Sequence, residues 1–125
     1  MLIDRACKGG GWNAGNAVAF GVALAPHVEA TAIALLALQN RREEGAVSLD
    51  CLETHMRNCS GVTSAAWTVL ALDAYCSGSA VWKQRLDHLH KLIQRPDEID
   101  DTSTLAISTL AVRTATGKNP FRMAT

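Results

Sequence analysis

The chain has 125 residues and no net charge, with twelve Lys and Arg against twelve Asp and Glu. At 48% apolar and 19% charged it is too hydrophobic for a disordered chain, and it has no basic stripe for binding nucleic acid through bulk electrostatics. Its length suits one domain over residues 1–125, and with only 5% aromatic residues any core is built from Ala, Leu and Val.

The start, Met1-Leu2-Ile3-Asp4-Arg5, carries an acid and lacks the apolar run of a signal peptide. The longest apolar stretches, Ala17–Ala25 and Ala30–Leu38, fall short of the ~20 residues of a membrane-spanning helix. Cys7, Cys51, Cys59 and Cys76 form no Cys-x-x-Cys pair and read as reduced, mostly buried thiols. Together these features predict a cytoplasmic protein, with peripheral membrane contact left open.

A short helical stub is expected over 2–7, then a Gly-rich loop or broken helix over 8–25. Pro26 can open a first helix over 27–42, with Glu29 near its positive end. Gly45 marks a break and Ser48 is a candidate N-cap for a helix over 46–58. Gly61 precedes a helix over 62–76. Gly78 and Ser79 punctuate the start of another over 79–94, where Trp82, Leu86, Leu89 and Ile93 share one face and Lys83, Arg85, Asp87 and Lys91 take others. Asp101, Thr102 or Ser103 can cap a last helix over 101–116. The tail from Lys118 to Thr125 is expected to be loose.

Three of these segments share one texture: Glu29–Leu38, Thr63–Leu72 and Ser103–Val112. Aligned on Leu36-Ala37-Leu38, Leu70-Ala71-Leu72 and Leu110-Ala111-Val112, they repeat at spacings of 34 and 40 residues. Each begins with small polar residues and has almost no charge inside. A helix apolar nearly all round is covered on most sides. Amphipathic segments alternate with these, so the chain reads as helical hairpin repeats.

The segment Leu2-Ile3, Cys7, Gly10 and Trp12 resembles the QW motif of squalene–hopene cyclases and related terpene cyclases, with Leu2 in place of the aromatic and Cys7 in place of the Gln. The run Gly10–Asn16, then Pro26, then Thr31–Gln39 is similar to bacterial prenyltransferase and squalene-cyclase repeats. Leu89-His90 and Gln94 form a weaker second piece. The resemblance implies an all-α fold, a partial α/α toroid of five to six helices, about half a ring. It also implies an isoprenoid or lipidic substrate and either self-association or a missing half-toroid. No cofactor is implied.

Glu98-Ile99-Asp100-Asp101-Thr102-Ser103 resembles the Asp-x-Asp-Asp-Thr-Ala motif of class II terpene cyclases, with Glu98 in place of the first Asp. The resemblance implies that Asp100 is a proton donor starting cyclisation, flanked by Asp101 and Glu98. Protonating an alkene needs a carboxylic acid kept neutral, which clustered carboxylates in a low-dielectric cavity achieve. The competing reading is that these acids start a helix. If the chain is an enzyme, it is an isomerase of this cyclase kind; on its own it is expected to be inactive. The alternative is a non-catalytic module that binds a protein or lipidic ligand on a concave face.

Cys51, His55 and Cys59 share one helical face, but ligands strung along a straight helix diverge, so no metal site is expected. His27, His88 and His90 read as surface residues, and Gly9-Gly10-Gly11 as a turn rather than a phosphate loop. Arg41-Arg42-Glu43-Glu44 reads as a solvated helix end, and Trp67 as a core filler.

Overall fold

The computed structural model describes residues 1–54, 57, 61–95, 97 and 99–124. Over these residues the protein is all-α, apart from one small hairpin. A two-residue strand, β1 (Val18–Ala19), pairs antiparallel with β2 (Val22–Ala23). Five helices follow: α1 (Val28–Ala37), α2 (Arg42–Thr54), α3 (Val62–Cys76), α4 (Ala80–Ile93) and α5 (Thr102–Val112). They fall into two compact units, residues 1–57 and 58–125.

In the first unit the expected break between helices moves. α1 stops at Ala37 because the buried Gln39 side chain turns back and donates from Nε2 to the Leu36 carbonyl at 2.8 Å. That satisfies one of the carbonyls a helix end leaves open. A 3₁₀ turn over Gln39–Arg41 leads straight into α2. Arg41–Glu44 is therefore a helix start, with Glu43 and Glu44 in the first turn of α2 near its positive end. Gly45 and Ser48, expected at a break and at a cap, lie buried inside α2.

Ser48 has another task. Its hydroxyl accepts from the Gly11 amide at 2.9 Å. The Thr31 hydroxyl of α1 accepts from the Trp12 amide at 2.9 Å and donates to the Trp12 carbonyl at 3.2 Å. Both helices thus grip the same dipeptide, and Trp12 itself is buried. The approach is close enough to require glycine. A Cβ on Gly10 would sit 2.8 Å from the Val47 carbonyl oxygen, and one on Gly11 would sit 2.6 Å from Pro26 Cβ. Residues 8–25, expected as loop or broken helix, form this clasp and then the hairpin. Phe20 stands at the hairpin tip with φ of 51°, followed by Gly21 at 78°. Such a positive-φ pair makes a tight hairpin turn.

In the second unit α3 is the central element, packed against both α4 and α5. Ala65, Ala66, Val69, Leu70, Ala71, Leu72 and Ala74 are all buried, so this helix is covered nearly all round. α4 is capped by Ser79, whose side chain accepts from the Trp82 amide at 3.2 Å. Trp82, Leu86 and Leu89 face inward as the periodicity predicts. Arg85, expected on a polar face, is buried, while Lys83, Asp87 and Lys91 are exposed.

The tail, expected to be loose, is tied back at Asn119. Gly117 ends the last 3₁₀ turn in the left-handed conformation, and the chain folds back onto α3. Asn119 donates from Nδ2 to the Leu70 carbonyl at 2.9 Å and to Asp73 Oδ2 at 3.0 Å. Asp73 is only 1% exposed, and its other oxygen accepts from Ser77 at 2.8 Å. A buried carboxylate needs such donors, because an unmet one carries the full desolvation cost.

Two stability tests follow from this geometry. Gly10→Ala and Gly11→Ala should each cost about 3 kcal/mol in urea denaturation, from positive φ plus overpacking. Gly9→Ala, with φ of 94° but open space around it, should cost only about 1 kcal/mol. Equal losses at all three positions would refute the close approach of the clasp to α2 and Pro26. Asn119→Ala should cost about 2 kcal/mol by stranding the buried Asp73 oxygen; a loss within error would mean the tail is not held there.

Candidate functional site

The acidic segment leads into α5. Asp101 is its N-cap: Oδ1 accepts from the Thr104 amide at 2.7 Å, and Oδ2 accepts from the Thr104 hydroxyl at 3.0 Å. Thr104 has one hydroxyl hydrogen, and Asp101 takes it. The hydroxyls of Thr63 on α3 and Thr104 lie 3.2 Å apart, so Thr63 is the donor of that contact. A hydroxyl chain therefore runs from Thr63 through Thr104 to Asp101 and ties α5 to α3.

This arrangement sets the charge of Asp101. The Thr104 amide first, and the Thr104 hydroxyl second, hold its carboxyl below the usual carboxylate range. Asp101 is also exposed. The residue that the resemblance makes the proton donor is its neighbour Asp100, and a donor to an alkene needs a closed apolar cavity around it. Asp100 is exposed, and Glu98 lies outside the described residues. The geometry of Asp101 favours the capping reading of this motif.

Beside Asp101 a cleft opens between α3 and α5. It has a volume of 450 Å³ and is lined by Thr63, Trp67, Asp101, Thr104, Ile107 and Leu110, among others. Trp67, expected as core filler, is only half-buried. Its ring meets that of Phe121 at a centroid distance of 5.4 Å and an angle of 45°. The tail thus brings a second aromatic ring against Trp67, which lines the cleft. Leu110 also borders a second opening of 330 Å³ with Arg113 and Lys118. Sequence reasoning missed Asn119 and Phe121. The available signal was a Gly-x-Asn-Pro-aromatic string just past a helix end, where a lone aromatic in a polar tail needs somewhere to go.

Cys7, Cys51 and Cys76 are free thiols. Burial first, and the Asp50 carboxylate second, push the Cys51 thiol up, which makes it unreactive. His55 and Cys59 lie outside the described residues. Among the described residues no three His, Cys, Asp or Glu side chains come together as a metal site. His27 is the exposed N-cap of α1 and makes no side-chain capping bond, and His88 and His90 are half-buried on α4. Among the described residues no helix is long and apolar enough to cross a membrane. No protein-family model, curated protein or solved structure matches the chain.

The depressed Asp101 carboxyl has a pH consequence. Because its folded pKa lies below its unfolded value, its stabilising contribution is present above the unfolded carboxylate range and is lost as pH falls through the folded pKa. Asp101→Asn keeps a good N-cap but cannot titrate. Wild type should therefore lose more stability than Asp101→Asn between neutral pH and the acid range. Parallel stability–pH curves for the two proteins would contradict the capping assignment.

Proposed function

We propose that this chain is a non-catalytic helical-repeat module that binds a lipidic small molecule, and that the cleft between α3 and α5 receives it. The observation that carries the reading is Trp67. A tryptophan in an alanine-rich helix belongs in the core, yet it lines an open cleft and is partnered by an aromatic from the tail. The volume lies in the range of small-molecule sites. The walls divide into an apolar side, Trp67, Ile107 and Leu110, and a polar end, Thr63, Thr104 and Asp101. This division suits an amphiphile better than a protein surface.

Kinship with the squalene-cyclase and prenyltransferase repeats is a second proposal, supported by one observation. The two ends of the QW-like segment meet, with Trp12 Nε1 donating to the Leu2 carbonyl at 2.8 Å. The segment closes on itself and is gripped by both helices of its hairpin. Under this proposal the chain is part of a larger toroid related to isoprenoid cyclisation and is not active alone. Under it Asp100 would need a closed cavity from the rest of the toroid, since it is exposed in this chain.

Calorimetric titration of the whole chain with decanol tests the binding reading. Saturable binding to one site is expected, and Trp67→Ala should weaken it about tenfold through lost aromatic contact. Circular dichroism of the variant establishes that it remains helical. Absent binding, or binding that Trp67→Ala leaves unchanged, would overturn the assignment of this cleft.

A further inference from the structure

The β1–β2 hairpin of the first unit is apolar on both faces and largely uncovered. Paired residues share a face of a two-stranded ribbon, so Val18 lies with Ala23 and Val22 with Ala19, on opposite sides. Val18 and Val22 are both more than half exposed, Leu24 is exposed, and Phe20 at the tip is fully exposed. Every residue from Phe20 to Ala25 is exposed. A hairpin that packs on its own core has one apolar and one polar face. This one has no polar face to offer water, and between Lys8 and Glu29 the sequence has no Asp, Glu, Lys or Arg.

The tip is built against local preference. Phe20 is the one non-glycine residue with positive φ among the described residues. Gly, Asn or Asp takes that place in a hairpin turn more easily than an aromatic does. Strain of this kind persists where something offsets it, and it gathers at functional positions. No packing within the unit offsets it here, since the Phe20 ring is fully exposed. The turn sets the largest apolar side chain of residues 13–28 at the outermost point of the hairpin.

We propose that this hairpin is a membrane-contact element. Its partner is the interfacial layer of a lipid bilayer, entered first by Phe20 with Val18, Val22 and Leu24 behind it. Size argues against a protein in that place. A stable protein interface takes about 800 Å² from each side, and four exposed side chains on a two-stranded tip fall short of it, for a second copy as for any other protein. A bilayer asks for no matching surface, only for apolar side chains with no charge to desolvate. The strand pairing and the Leu24 amide, which donates to the Ala17 carbonyl at 2.9 Å, satisfy the inward backbone groups. Shallow insertion leaves the outward ones within reach of water and head groups. This contact does not depend on the cleft of the second unit, and it needs a lipid surface rather than a dissolved amphiphile.

Flotation of the whole chain with phosphatidylcholine vesicles tests the contact. The wild type should rise with the vesicles, and added salt should not weaken binding, because the hairpin carries no charge. Phe20→Ala should weaken binding about tenfold, the loss expected for one buried phenyl group. Phe20→Trp should retain binding, and brominated acyl chains should quench its indole emission more than they quench the wild type. Neither exchange should lower the melting temperature, as the Phe20 ring is fully exposed. Trp67→Ala should float as the wild type does. The proposal falls if the wild type stays in the soluble fraction, if salt releases it, or if Phe20→Ala floats equally well. It falls too if Trp67→Ala abolishes flotation, which would place the lipid contact at the cleft. A lipid-free dimer that Phe20→Ala dissociates would overturn it by making a second copy the partner.

Discussion

The second unit is governed by the need to cover an alanine-rich helix on nearly every side. Small side chains bury little area each, so α3 gains enough only when neighbours close around it. α4 and α5 supply two of those neighbours. The remainder comes from the tail, held by Asn119 to a backbone carbonyl and to the buried Asp73. Burying Asp73 demands donors, and the tail brings one. The same return of the chain carries Phe121 to Trp67. The ring that meets Trp67 is thus a consequence of how α3 is covered.

The first unit solves a related problem with hydroxyls. Thr31 and Ser48 sit at buried positions where apolar residues would be expected, and both spend their hydrogen-bonding capacity on Gly11 and Trp12. The glycines make room and the hydroxyls fix the register of the loop against both helices. Phe20 at the hairpin tip stands fully exposed, with no such explanation.

Much of the fold was legible in the sequence. The all-apolar texture of Glu29–Leu38, Thr63–Leu72 and Ser103–Val112 marks α1, α3 and α5, and the four-residue spacing from Trp82 marks α4. Asp101 and Ser79 are readable as caps because short polar side chains before apolar runs have that use. The errors have physical causes. Ser48 looks like punctuation, and nothing local announces that a glycine clasp 37 residues away in sequence needs it inside a helix. Gln39 ends α1 through a side chain that propensity rules treat as helical. The docked tail depends on Asp73, which only the folded unit reveals as buried. At the site, the acidic motif resembles a proton-donor motif, and only the position of Thr104 shows that Asp101 serves as the cap of α5.

Nuclear magnetic resonance mapping of the whole chain against a short-chain amphiphile tests the central claim most directly. The account predicts shift changes clustered on Thr63, Trp67, Thr104, Ile107 and Phe121, with the unit of residues 1–57 unaffected. Changes centred instead on the apolar recess by Leu2, Trp12 and Ile33 of that first unit, or scattered over both units without saturation, would contradict it.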